Sequence, residues 1–132
     1  MFGKAVLIVS GLMYLVFGVA FLFAPAKLGA WVHLDAAHPV ARTELRAFYG
    51  GLEIGLAVFL CLCAWRSEWV KAGLLAAALI FGCTAAGRVV GMAVDGARGT
   101  AVVAILVVEV AFAVVAALAF VRMRGRAIEE QA

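Results

Sequence analysis

The sequence predicts an all-α membrane protein, a bundle of four antiparallel transmembrane helices, from three observations. Of its 132 residues, 67% are hydrophobic and only 14% are charged, against about 25% charged in ordinary soluble domains. The polar inventory is thin, with no Asn, one Gln, two Ser and three Thr. Four apolar segments reach the roughly 20 residues that a helix needs to cross the hydrocarbon core. Because backbone polar groups in lipid must be satisfied within the segment, these segments are helices rather than strands.

The four predicted helices form a single domain and are joined by links of unequal length. They cover residues 4–24, 40–65, 69–94 and 100–121, and residues 122–132 form a short basic tail. The first apolar run is too long for the core of a signal peptide, so we interpret it as a retained helix that ends at Pro25. The long link 26–39 is expected to lie partly flat at the membrane interface. The links 66–68 and 95–99 are tight turns, which makes neighbouring helices antiparallel.

The distribution of basic residues predicts the orientation. One side of the membrane holds Lys4, Arg66, Lys71, Arg122, Arg124 and Arg126, and the other holds Lys27, Arg42 and Arg98. By the positive-inside rule, both termini are cytoplasmic. The net charge of +3 suits lipid headgroups. No basic stripe interleaved with aromatic residues is present in the sequence, so nucleic acid is not an expected partner.

Three charged residues inside the apolar segments are the most informative feature of the chain: Glu53, Arg88 and Glu109. A charge at bilayer depth costs about 2.5 to 3.5 kcal/mol on insertion scales. Such residues face a bundle interior, pair with one another, or serve a function. With one acid in each of two helices and a base in a third, mutual neutralisation is expected.

Further polar residues extend this set. Along the second helix, four polar residues with spacings of 4, 3 and 4 share one face. Glu109 lies about 15 Å in from the outer turn, at the depth of Glu53. We therefore predict a cluster in the outward half of the bundle, formed by Arg42, Arg46, Tyr49, Glu53, Arg88, Asp95 and Glu109. The first helix is uncharged after Lys4 and is expected to be a hydrophobic wall.

Two G-x-x-x-G pairs lie beside these charges. Gly51 and Gly55 flank Glu53, and Gly87 and Gly91 flank Arg88. Such pairs allow helix backbones to approach closely in membranes. The sequence therefore predicts that these four glycines pack the helices together.

Three interpretations of the charges stay open. In the structural one, Arg88 bridges Glu53 and Glu109 and holds three helices in register. In the functional one, the cluster is a pocket for a small amphiphilic or anionic ligand or lipid, or a proton-linked site. Arg46 and Arg88 would then hold an anionic head, either glutamate would exchange a proton, and Tyr49 would donate a hydrogen bond. In the third, the cluster contacts a partner, either another copy of the chain or a different membrane protein.

A weaker candidate is a metal site in the outer loop, formed by His33, Asp35 and His38. Two histidines and one aspartate without further ligands are more often simply interfacial. No cofactor is evident from the sequence. No catalytic motif is recognisable, so an enzymatic activity is not favoured.

Three strings of sequence carry a family resemblance. They are RTELRAFYGGLEIGL at 42–56, AAGRVVGMAVDG at 85–96 and VVEVAFA around Glu109. The chain resembles a bacterial family of small four-helix integral membrane proteins of unknown function, the domain-of-unknown-function 4345 family. That family is distantly similar to DoxX-like proteins, some of which are implicated as subunits of membrane oxidoreductases. The resemblance implies the four-helix topology and supports the motif residues. It leaves a DoxX-like subunit and a purely structural or assembly protein as alternatives to a ligand-binding protein.

Overall fold

The computed structural model describes the backbone of residues 1–129 and the side chains of residues 1–123. Its helices are α1 (Phe2–Phe23), α2 (Pro25–Trp31), α3 (Pro39–Leu45), a π-helical segment (Arg46–Leu52), α4 (Glu53–Trp65), a 3₁₀ turn (Ser67–Trp69), α5 (Val70–Val94) and α6 (Thr100–Glu129). No strand occurs in residues 1–129. The all-α prediction is therefore confirmed.

Within the described residues, four helices are long and apolar enough to cross a membrane. These spans are Phe2–Phe23, Pro39–Trp65, Ser67–Val94 and Thr100–Met123. The second span is composite, since α3, the π-helical segment and α4 follow one another without a break. The chain is therefore an integral membrane protein built as an α-helical bundle.

Two helix boundaries differ from those expected. The 26–39 link contains α2, which begins with Pro25 at its first turn, where a missing N–H is harmless. At the other end, α6 continues to Glu129 through most of the segment predicted as a tail. The arginines there are good helix formers, so leaving the apolar region does not end the helix. Residues 130–132 and the side chains of Arg124 and Arg126 lie outside the described residues.

Side-chain contacts define the two ends of the bundle. Lys4 Nζ donates a hydrogen bond to Ser67 Oγ at 3.0 Å, and the Arg122 guanidinium lies 5.6 Å from the Phe2 ring centre. These contacts place three segments at one end of the bundle, here called the terminal end. They are the N-terminus, the turn between the second and third spans, and the part of α6 around Arg122. The segments 32–38 and 95–99 lie at the opposite end, here called the distal end. Neighbouring spans are antiparallel.

The first span is central, because α1 packs against α4, α5 and α6. Glycines make the closest approaches. A Cβ at Gly11 would lie 2.9 Å from Cys61 Sγ, and one at Gly18 would lie 2.9 Å from the Gly50 carbonyl oxygen. On α5, a Cβ at Gly73 would lie 2.6 Å from the Cβ of Cys63. These positions must be glycine for the backbones to pack as they do.

The four glycines predicted to pack the helices do not do so in this structure. Among the described atoms, nothing lies within 4 Å of a Cβ placed at Gly55 or Gly87. Gly51 and Gly91 meet only atoms of their own helices, at 3.8 and 3.7 Å. A G-x-x-x-G pattern marks a surface that permits close approach, but it does not specify which face of the helix turns inward.

Candidate functional site

The face of α4 that points into the bundle begins with a carboxylate. Ala57, Leu60 and Ala64 on this face are buried. Glu53 precedes them at the same 4, 3, 4 spacing and is half-buried. The side chain of Glu53 therefore continues the core face of its helix into the interior.

All four spans contribute to one polar layer, which consists of Tyr14, Glu53, Arg88 and Glu109. Tyr14, Glu53 and Glu109 lie roughly 18 to 20 Å along their helices from Phe2, Trp65 and Arg122, which mark the terminal end, at 1.5 Å per residue. Arg88 begins closer to the distal end, and its long side chain reaches back to the layer. The core toward the terminal end is apolar apart from Ser10, whose buried Oγ has no partner among the described residues.

Arg88 and Glu109 form a complete ion pair. Arg88 Nε donates to Glu109 Oε2 at 2.9 Å, and Nη2 donates to Oε1 at 2.7 Å. The Glu109 side chain is 9% exposed and that of Arg88 is 27% exposed, so the pair is largely withdrawn from the surface. This bidentate geometry is the strongest form of the arginine–carboxylate contact. The two charges therefore neutralise each other within this pair.

Glu53 is left out of this pair, which corrects the expectation that Arg88 bridges both acids. Its Oε2 is buried and accepts no hydrogen bond from any described residue. No ion pair of Glu53 occurs within 4.0 Å among those residues. The edge of the Arg88 guanidinium that carries Nε and Nη2 is already bonded to both oxygens of Glu109, so this edge is not available to Glu53. Glu53 therefore presents an unfilled acceptor in the interior.

Tyr14 is a member of the layer that the sequence interpretation missed. It is buried, at the same height along the bundle as Glu53 and Glu109. Its ring stacks on Phe81 at 4.9 Å between centroids, and Phe81 in turn packs on Phe112 at 5.0 Å. The first span is thus not a purely hydrophobic wall. The available signal was the four-residue spacing of Ser10, Tyr14 and Gly18, which places them on one helix face.

Tyr49 lies one turn from Glu53 toward the distal end. Its ring is 5.1 Å from that of Phe21, it is 41% exposed, and it is within electrostatic range of Arg88. Tyr49 therefore lies at the edge of the layer, between the interior and the surface.

Two of the predicted cluster arginines bind backbone carbonyls instead. Arg46 Nε donates to the Leu22 carbonyl oxygen at 3.1 Å, near the end of α1, where carbonyls lack helical partners. Arg42 Nη2 donates to the Ala37 carbonyl oxygen at 3.3 Å. Both arginines anchor the connection between the first two spans. The π-helical turns at Arg46–Leu52, with their wider hydrogen-bonding pattern, separate them from the face that Glu53 occupies.

The π-helical part of the second span has little contact with α5. The segment Arg46–Leu52 packs chiefly against α1, whereas the contacts between the second span and α5 are made along α4. The bare surfaces at Gly55 and Gly87 agree with this arrangement, since no described side chain of another helix fills them.

A family model described as a domain of unknown function, DUF4345, matches residues 2–120. The chain belongs to the DUF4345 family. The match includes the whole polar layer and nearly all of the four spans. No curated protein and no solved structure matches this DUF4345 chain.

The remaining predicted site residues of the DUF4345 chain lie at its distal end. Asp95 caps the end of α5, is exposed, and lies roughly 10 Å along the helix from Arg88. In the loop before α3, Asp35 Oδ1 accepts from the Ala37 N–H at 2.8 Å, and His38 Nδ1 accepts from the Val40 N–H at 3.3 Å. These loop side chains serve the backbone turns.

His33, Asp35 and His38 are not assembled into a metal site in the structure. Among the described residues, no three His, Cys, Asp or Glu side chains come close enough together to hold a metal ion. His33 and Asp35 instead line an open pocket of about 400 Å³ beside α2. The loop is thus a turn with an interfacial surface.

Proposed function

We propose that this DUF4345 protein binds the polar head of a small amphiphile in the polar layer, with Glu53 as the acceptor. The observation that carries the proposal is the contrast between two acids at the same depth. Glu109 is fully engaged by Arg88, while Glu53 has a buried oxygen without a partner. A ligand that donates a hydrogen bond or a charge to that oxygen would complete the layer.

In a bilayer, a buried carboxylate oxygen without a hydrogen-bond donor raises the free energy of the folded state. No bulk water is present in the hydrocarbon core to satisfy a polar group, and each unsatisfied group costs several kcal/mol. Residues of this kind inside membranes are retained for substrate, ion or proton handling. The free oxygen of Glu53 therefore favours a ligand site over a purely structural one.

The sparse contact between the π-helical segment and α5 supports an amphiphile rather than a water-soluble ligand. A molecule with an apolar tail would remain in the lipid while its head enters beside Tyr49 and reaches Glu53. The Arg88–Glu109 pair then serves as the scaffold that holds α5 and α6 in register beside the site.

The proposed setting is a bacterial inner membrane with both termini in the cytoplasm. The support is the excess of Lys and Arg at the terminal end, where six of the nine basic residues counted at the helix ends occur. In this orientation the polar layer lies at mid-depth and Tyr49 lies in the outward half of the bundle.

Native mass spectrometry of protein extracted in mild detergent tests the proposal. Wild type and Glu44→Gln, an exposed control on the same span, should carry the same discrete adduct, and Glu53→Gln should lose most of it. All three must show the same helical content. An adduct retained by Glu53→Gln, or no adduct in any variant after the mildest extraction, would contradict the proposal.

A second candidate function is that of an accessory subunit in a larger membrane complex. If that complex is an oxidoreductase, the protein would be a DoxX-like subunit of it. The bare glycine surfaces at Gly55 and Gly87 favour it, because small residues let a further helix approach closely. Native gel electrophoresis of mildly solubilised membranes distinguishes this role. Gly55→Leu and Gly87→Leu should dissociate a complex of defined size while the monomer stays folded.

A further inference from the structure

The charges of the polar layer do not balance. Arg88 and Glu109 cancel within their own pair, which leaves the carboxylate of Glu53 as the uncompensated charge of the layer. In a low-dielectric interior an isolated carboxylate is strongly disfavoured. The layer therefore needs one positive charge, and either a proton or a cationic ligand supplies it.

The basic side chains near Glu53 are engaged elsewhere. Arg88 is held by Glu109, and Arg46 donates to the Leu22 carbonyl oxygen. An anionic head would thus meet arginines that are already partly committed and would also approach an uncompensated acid. A cationic head would meet an opposite charge at Glu53.

Aromatic side chains lie at or near the height of Glu53. Tyr14 is at that height on α1, which packs against α4, and its ring is stacked on Phe81. Tyr49 lies one turn away on the same span and packs against Phe21. Aromatic faces attract cations, most strongly where water is excluded. A carboxylate in a layer that also contains tyrosine rings suits an organic ammonium or phosphonium group.

We propose that the ligand class of this site is a lipophilic organic cation, which binds to the Glu53 carboxylate in exchange for a proton. This inference rests on the proposed function, since it names the charge of the head that the site accepts. In the unliganded state the proton occupies the Glu53 carboxyl. When a cation enters, that O–H bond breaks, one proton leaves to water, and the carboxylate pairs with the cation.

The other groups of the layer do not supply this proton. Arg88 and Glu109 are held in their bidentate pair. A single exchangeable proton, at Glu53, is therefore expected. Cation binding should then tighten by up to about tenfold for each pH unit over which Glu53 is protonated in the free protein.

The test uses two probes of matched shape and opposite charge, tetraphenylphosphonium and tetraphenylborate. Binding of each to the purified chain in a neutral detergent is measured by equilibrium dialysis from pH 6 to 9, with protein-free micelles subtracted. Wild type and Glu44→Gln should bind the cation more tightly as pH rises and release one proton per cation. Glu53→Gln should lose the pH dependence and most of the affinity while keeping its thermal unfolding midpoint.

Two results would overturn the inference. One is the absence of saturable cation binding by wild type, and the other is binding of the borate as tight as that of the phosphonium. If native mass spectrometry still shows a Glu53-dependent adduct in either case, the proposed function stands and only the ligand's charge is wrong. If that adduct is also missing, both proposals fail.

Discussion

Arg88 donates two hydrogen bonds, of 2.9 and 2.7 Å, to the carboxylate of Glu109 across the interface between α5 and α6. The pair joins the third and fourth spans at the height where the apolar core ends. Its geometry leaves neither carboxylate oxygen of Glu109 without a partner. This one contact explains how two charges are accommodated inside an apolar bundle, and why the other acid at this depth is free.

Removal of one member of the pair should be strongly destabilising. Arg88→Gln or Glu109→Leu leaves an uncompensated buried charge, and breaking a buried ion pair costs about 3 to 5 kcal/mol. The double variant Arg88→Met, Glu109→Leu should recover much of this loss, because no charge is stranded. Reversible unfolding in mixed micelles measures all three free energies. Losses that simply add in the double variant would show that the two side chains do not interact.

Substitution of Glu53 should have the opposite effect on stability. Because Glu53 Oε2 has no partner among the described residues, Glu53→Leu removes an unsatisfied group that costs about 1 to 3 kcal/mol. The ligand-free variant is therefore expected to unfold at the same or a higher temperature than wild type. Thermal unfolding of delipidated protein measures this, with Glu44→Leu as the exposed control. A large loss of stability on Glu53→Leu would mean that the carboxylate has a structural partner.

Two glycines on α5 should respond differently to the same change. A Cβ at Gly73 would meet the Cys63 Cβ at 2.6 Å, whereas one at Gly87 would meet no described atom within 4 Å. Gly73→Ala is expected to lose about 1 to 3 kcal/mol through overpacking. Gly87→Ala should be neutral or gain roughly 0.5 to 1 kcal/mol from helix propensity. Equal changes in the free energy of unfolding at the two positions would show that Gly73 is not more tightly packed than Gly87.

The orientation can be tested with cysteines introduced at the two ends of the bundle. Gly99→Cys, at the distal end, should react with a membrane-impermeant maleimide added to intact spheroplasts. Ser67→Cys, at the terminal end, should react only after the membrane is opened. The native cysteines Cys61, Cys63 and Cys83 are first replaced by alanine so that labelling is specific. The reverse labelling pattern would place the termini outside.

Most of the fold could be predicted from composition and segment length. Apolar runs of about 20 residues dictate helices in a bilayer, since no other arrangement satisfies the backbone there. Pro25 marks the end of the first helix and Pro39 the start of the second span, because proline lacks the N–H that an interior position needs. The π-helical turns at Arg46–Leu52 were not predicted, because apolar residues with two adjacent glycines fit an α-helix equally well.

The candidate site was predicted only in part. Glu53, Arg88 and Glu109 stand out in the sequence because charge is rare at bilayer depth. The pairing of Arg88 with Glu109 rather than Glu53 depends on how the helices are rotated and spaced, which helical periodicity within one segment does not specify. Tyr14 was missed for the same reason, since an aromatic residue in an apolar helix is equally compatible with the lipid face and the interior.

The sequence by itself determined the membrane class, the four spans and the depth of the charges. These follow from the local free energy of placing each segment in lipid, which depends on composition and length alone. Only the tertiary structure decided which acid is paired and which glycines permit close packing. Those outcomes depend on contacts between segments far apart in the chain, and a rotation of one helix by a single residue would change them all.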